Sequence, residues 1–532
     1  MAGTTREAGI MDEFSNRDRN VFVIRLPRVI DRGALMSRYS RTASLDIRTV
    51  YDREFAGNMA RGADFYKRVF LDYGDESVAE LVTAQVGVQN VTNVAAKVME
   101  EVRIGISFLE KSSRYVRYDK KATDRYLFAD YESIGIPRGL ASDYEDHCNR
   151  LFETYSRFLP LLLKEVCAKN PVGEQRFLSK GKEIGYDALE SGEREVAEKA
   201  YETAVRARVL DDVRYLLPAS TLTNVGMSGN GRSFVNLIQK LERSGLMECK
   251  RISGDIFKEL DAEMPELIKS AKNQHGQDLQ EYLASRDAIS FEPSENAGFP
   301  EIKLVQYEPE RNAVAKVVSL IDFPNRGNSI DIPETAASPD YSVIERISET
   351  RRNRRHKLGR AFETVHYLFE LAPTYASFRE IQRHRMLTMI RKPLTASFGY
   401  HVPDLFAANH DLADEYRRLM DESVRTWKEF NRKSGILAAQ YVVPFAFRYP
   451  IAFYTSLSEA VYFTELRSTP SAHYELREVS WQLADEISRV HPAFKKLFKF
   501  VDRSENNLGR IRSEARKEKK LKELGTRGNP QA

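Results

Sequence analysis

Disulfides do not frame this fold. The chain has three cysteines, Cys148, Cys167 and Cys249, an odd number, widely spaced and set among charged or helix-favouring residues. That spacing offers no zinc knuckle, and a reducing cytoplasm is the compartment it suits. Long apolar runs are also missing. The longest, Phe158 to Leu163, is far short of the roughly 20 residues that span a bilayer, and the first twenty residues lack an apolar signal core. Nor does one sign of charge prevail: 81 Lys and Arg stand against 77 Asp and Glu, a net charge of +4. No general attraction to nucleic acid or membrane is expected, so any anion binding must be local.

What is present is a long, mixed chain. At 532 residues, 42% hydrophobic and 30% charged, it exceeds a single ordinary core and predicts two or three domains. Val21 to Leu26 reads as a strand, and Phe65 to Phe70 as a helix end before the turn Tyr73-Gly74-Asp75. Val91 to Val102 has helical spacing. Ala141 to Val209 carries Tyr144, Leu151, Tyr155, Phe158 and Leu162 at helical intervals and reads as a helical insertion. A Thr/Ser/Gly-rich stretch ends at Gly229-Asn230-Gly231, before an amphipathic helix from Arg232 to Leu241.

The polar stretch Asn273 to Pro300 reads as a linker. After it a strand (Glu301 to Tyr307) and a helix (Ala313 to Leu320) make a second beginning. From there landmarks recur: Ala79-Glu80 against Phe362-Glu363, Val102 to Tyr115 against Arg383 to Phe398, and Tyr215 to Pro218 against Tyr441 to Pro444. This is the pattern of a diverged tandem duplication. The expected organisation is a first unit at 1–272 with its insertion at about 141–209, a linker at 273–300, a second unit at 301–502, and a charged tail at 503–532 that is solvated or frayed helix.

Two clusters carry chemistry. Gln382-Arg383-His384-Arg385 follows a helical pattern that runs from Tyr375 to Leu387. On a helix the three cationic residues fan by about 100° each, so they would line an extended ligand or join two neighbouring ones; a solvated basic face would look the same. Far upstream, Glu110, Ser112 and Arg114 alternate. In an extended segment they point one way, a hydroxyl and a guanidinium forming a phosphate clamp; a polar edge strand would share the pattern. Gly229-Asn230-Gly231 before a helix suits an anion, since free N–H groups and the positive helix end attract charge; an ordinary turn and cap also fits.

These residues together resemble the flavin-dependent thymidylate synthases, whose signature runs Arg-His-Arg-x-x-Ser-x-Asn-Glu-x-Ser-x-Arg-Tyr. The first half matches its latter part at Ser107, Glu110, Ser112, Arg114 and Tyr115, but has Val102-Arg103-Ile104 where the triplet belongs. The second half keeps Arg383-His384-Arg385, with Thr388 for the first Ser, and replaces the clamp with Arg391, Pro393 and Thr395. Further on, Arg214, Pro218, Asn230, Arg232 and Asn236 hold the family spacing and Leu241 stands for its last Arg. In the second half Gln440, Ser456, Ser458 and Tyr462 occupy the earlier positions and Arg467 restores the last. Asp75 before Glu80, and Leu358 before Glu363, replace a family His.

The resemblance implies an α/β (α+β) fold: two units, each a mainly antiparallel sheet with long helices, forming a pseudo-dimer, and two chains imitating the family tetramer. It implies reductive methylation of dUMP to dTMP, with carbon from methylenetetrahydrofolate and hydride from NADPH-reduced FAD, and no attacking cysteine or metal. Arg383, His384, Arg385, Asn230, Arg232 and Asn236 would hold FAD. Glu110, Ser112, Ser113, Arg114, Arg214, Gln382, Arg383 and Arg467 would hold dUMP. A nucleotide-binding scaffold without turnover, or a related enzyme acting on another pyrimidine or on RNA, is the alternative.

Overall fold

The computed structural model describes residues 13–58, 60–68, 76–179, 181–287, 299, 301–325, 339–505 and 508–527. Asp75, with the turn around it, and residues 288–298 of the expected linker lie outside them. The strands, in chain order, are β1 Thr83–Thr92, β2 Ile106–Glu110, β3 Arg176–Ser179, β4 Lys182–Gly185, β5 Leu222–Asn230, β6 Ile302–Gln306, β7 His366–Leu371, β8 Thr388–Arg391 and β9 Ile451–Ser456.

The described chain gathers into two compact units that do not follow its linear halves. One takes in residues up to Lys111, Glu132–Gly135 and those from Leu222 to Asp287. The other takes in Ser112–Tyr131, Ile136–Thr221 and those from Phe299 onward. The first unit holds a three-stranded sheet in the order β1-β5-β2. The second holds a four-stranded sheet, β6-β7-β9-β8, and the hairpin β3-β4. These pairings are antiparallel, and with their long helices the units form an α+β architecture.

Alternation explains the strands. In β7, Tyr367, Phe369 and Leu371 are buried while their neighbours are half-exposed, and in β9 Ile451, Phe453 and Thr455 face the core. β5 is harder to recognise because its inward positions include Gly229. A Cβ there would fall 2.6 Å from Ile106 Cγ1 and 2.9 Å from the Gly105 carbonyl oxygen, so glycine is what lets β2 pair closely.

Each unit repeats one local design. Thr92 caps the helix Asn93–Met99 by accepting from Ala95 N, and donates its own N–H and hydroxyl to Glu248 at 2.8 and 2.7 Å. Thr374 caps Tyr375–Ile381 through Ser377 N and donates in the same two ways to Glu475 at 2.8 and 2.5 Å. A buried carboxylate thus clamps the start of the helix that follows the first strand of each repeat.

Other expectations need correction. Val21 to Leu26 forms no strand: Ile24 makes one bridge to Phe14, and Val21 is 86% exposed. The insertion is two helices, Ala141–Lys169 and Ser191–Val213, separated by the β3-β4 hairpin. The helix Gln274–Asp287 occupies the first part of the expected linker. The charged tail is not a solvated appendage. Its helix, Ile511–Arg527, lies on Ser191–Val213, because Leu508, Arg510, Ile511 and Glu514 provide one buried face and Lys522 Nζ donates to the Gly192 carbonyl at 3.2 Å. Among the described residues no helix is long and apolar enough to cross a membrane.

Candidate functional site

The helix Tyr375–Ile381 stops before the cationic triplet, which lies instead in the turn leading to β8. His384 N donates to the Ile381 carbonyl and Leu387 N to that of His384. Arg383 and Arg385 are therefore exposed and His384 is buried, a separation made by the turn and not by helical fanning. His384 Nδ1 lies 3.0 Å from Glu459 Oε1, and its Nε2 accepts from Arg467 Nε at 2.9 Å. That pairing assigns the proton to Nδ1. Burial lowers the His384 pKa despite Glu459, so a neutral imidazole spends both nitrogens in positioning Arg467.

Upstream, β2 ends at Glu110 and the chain turns through Ser112 to Tyr115, with Val116 N bonded to the Ser112 carbonyl. Because the segment is not extended, Ser112, Ser113 and Arg114 all line one cavity of about 230 Å³, together with Arg214, Arg379, Glu380, Arg383 and Arg467. Arg114 grips Asp211 through Nε at 2.6 Å and Nη2 at 2.8 Å, and reaches Glu380 Oε2 at 3.2 Å. Glu380 also accepts from Arg214 Nη1 at 3.3 Å and Arg467 Nη1 at 3.4 Å. Arg379 Nη1 donates to Ser113 Oγ at 3.1 Å.

Arg214 is 2% exposed, yet its Nε and Nη2 have no hydrogen-bond partner among the described residues. Burial opposes the charges on Arg114, Asp211 and Glu380, but the opposed pairing outweighs it. The arginine pKa rises and both carboxyls fall below the usual range.

Other sequence candidates lie elsewhere. Glu110 is buried and held by Lys97 Nζ at 2.9 Å within the first unit. Gln382 is buried and does not line the cavity. Asn230, Arg232 and Asn236 belong to the first unit: Asn230 caps the helix Gly231–Arg243 through Ser233 N at 2.9 Å, Arg232 pairs with Glu80 at 3.0 Å, and Asn236 is exposed. The N–H groups of Asn230 and Gly231 bond the Gly105 and Val82 carbonyls, so the anion-binding helix end expected there is occupied by the chain itself.

Sequence reasoning missed Asp211, Arg379, Glu380 and Arg510. Arg379 and Glu380 lie one helical turn ahead of the triplet, a usable signal. Arg510, in the tail, donates to the Ser471 carbonyl at 3.3 Å, sits 3.7 Å from Asp211 and covers the Tyr115 ring; nothing in the sequence marks it.

A larger cavity, of about 470 Å³, is lined by Arg354, Lys357, His366, Tyr454, Glu459 and Tyr462 among others. His366 and Tyr454 stack at 4.9 Å. Glu459 lines this cavity and Arg467 the smaller one, so the imidazole of His384 ties the two together. Burial pushes the Cys148 thiol up to about 12, which leaves it without thiolate character at neutral pH.

Two buried histidines make the fold acid-sensitive. Burial lowers His147 to about 4 and His473 to about 3. Below an unfolded value of about 6.5 only the unfolded chain takes up these protons, so stability is full above that value and falls toward pH 4. The slope is up to about 1.4 kcal/mol per pH unit for each residue. The denaturant midpoint is expected to drop between pH 7 and 5, and an unchanged midpoint would contradict this.

The profile of the family described as thymidylate synthase complementing protein matches residues 34–266 and 303–493. A UPF0159 protein of Thermoplasma acidophilum is 47% identical over 498 residues, covering 92% of this chain and 99% of its own. A UPF0159 protein of Chlamydia muridarum is 32% identical, covering 94% and 96%. A flavin-dependent thymidylate synthase of Thermococcus onnurineus is 25% identical over 120 residues, 21% of this chain and 49% of its own.

Proposed function

The chain belongs to the thymidylate synthase complementing protein family, and from that premise we propose that it is a flavin-dependent thymidylate synthase converting dUMP to dTMP. The observation that carries the reading is the convergence of Ser112, Ser113, Arg114 and Arg214 with Arg383 and Arg467 on one cavity. Hydroxyls and guanidinium forks are the groups that recognise a phosphomonoester and the carbonyls of a pyrimidine, and the unpartnered N–H groups of Arg214 supply donors already desolvated.

FAD, reduced by NADPH, would supply the hydride, and methylenetetrahydrofolate the carbon. Arg383, His384 and Arg385, with Asn230, Arg232 and Asn236, are the proposed FAD residues. The larger cavity suits a planar anionic cofactor, since Tyr454, Tyr462 and His366 offer ring faces and Arg354 and Lys357 offer cations. His384 fixes Arg467, so its part is to orient a donor at the substrate's edge. Cys148 takes no part as nucleophile. Two chains pair to imitate the family tetramer.

The test is an absorbance spectrum of the purified protein with and without dUMP, followed by turnover with methylenetetrahydrofolate and NADPH. Bound flavin bands perturbed by dUMP and formation of dTMP are expected. Colourless protein that takes up no FAD would defeat the proposal, and binding without product would reduce the protein to a scaffold.

A further inference from the structure

The arginine cluster contains two carboxylates that behave differently. Asp211 binds Arg114 through two short bonds, 2.6 and 2.8 Å, the range of a locked charge-assisted pair. Glu380 reaches Arg114, Arg214 and Arg467 at 3.2, 3.3 and 3.4 Å, each longer than such a pair prefers. Its carboxylate is thus shared among three guanidiniums and held tightly by none. The same three guanidiniums line the cavity beside Ser112 and Ser113, and two N–H groups of Arg214 stay unpaired and buried. Five guanidiniums around one lining carboxylate still leave a strong excess of positive charge.

We propose that Glu380 is an exchangeable internal counter-anion, neutralising Arg114, Arg214 and Arg467 and surrendering them to the phosphate of an incoming phosphomonoester. Glu380 competes with the ligand for the same N–H donors, so it weakens anion affinity while making the buried cluster tolerable without one. The inference rests on the proposed reading of this cavity as a phosphate seat. It does not require turnover, FAD or a pyrimidine.

The experiment measures orthophosphate and dUMP binding by calorimetry to the full-length protein and to Glu380→Gln and Glu380→Asp. Glu380→Gln is expected to bind orthophosphate at least tenfold more tightly, whereas Glu380→Asp, which keeps the charge, stays within about threefold of the wild type. If Glu380→Gln folds only in phosphate, a steeper rise of its melting temperature with phosphate than that of the wild type is the same result. Unchanged or weaker phosphate affinity, equal tightening by both variants, a variant that phosphate does not rescue, or no phosphate binding by any of the proteins would overturn the inference. Tightened phosphate binding with no dUMP binding would keep it and sink the nucleotide reading instead.

Discussion

Replacing Glu475 with alanine will destabilise the protein by about 3–5 kcal/mol, the range for breaking a buried, hydrogen-bonded charge network. The carboxylate is 5% exposed and accepts from Thr374 N, Thr374 Oγ1, Ser377 Oγ and Tyr215 OH, with Arg448 Nη1 at 3.5 Å. Alanine leaves these donors buried without an acceptor, and each orphaned donor carries its full desolvation penalty. The loss also releases the start of the helix that leads into the cationic turn, so Arg383 and His384 should lose their places together. Urea unfolding of the wild type, Glu475→Ala and Glu475→Gln measures it, the amide variant falling between the other two. A change below about 1 kcal/mol for alanine would show that the network does not hold the helix. Burial works against the Glu475 charge, but Arg448 and the hydrogen bonds outweigh it and bring the group down to about 2. Its contribution is therefore present above the unfolded value, about 4.3, and is lost as the pH falls toward 2.

Arg214→Met is expected to weaken dUMP binding on the order of 100-fold or more. Methionine keeps much of the length and apolar contact but removes the Nε and Nη2 donors, and a hydrogen bond to a charged group contributes about 1.5–3 kcal/mol. Glu380 keeps Arg114 and Arg467, so the fold should survive. Calorimetric titration with dUMP checks this; a loss smaller than about fivefold would mean that the buried guanidinium does not face the ligand.

Local pattern reveals some of this architecture and tertiary pairing conceals the rest. β6 and β7 alternate clearly, and the helices of the insertion carry their apolar residues at helical intervals, so they are readable directly. β5 is not, because its Gly and Ser residues weaken the strand signal, and only its central place between β1 and β2 shows why small residues belong there. The family spacing picks out Ser112, Ser113, Arg114, Arg214, Arg383 and Arg467, which the fold brings around one cavity. It gives no warning that β2 stops at Glu110 or that the helix stops before Arg383, because both endings are set by pairing partners far away. Asp211 and Glu380 look like ordinary surface acids in sequence, and only burial beside several guanidiniums distinguishes them. The two compact units are likewise invisible, since residues 136–221 join the second unit by long-range contact alone.

The arginine cluster also dictates an order of events during synthesis. Arg114 meets Asp211 across 97 positions, Glu380 across 266 and the Ser471 carbonyl across 357. Closing loops of that length costs chain entropy before any contact repays it. On the ribosome the first serines and arginines emerge long before their partners, so the phosphate seat has no nascent form: it comes into being only when nearly the entire polypeptide has been made.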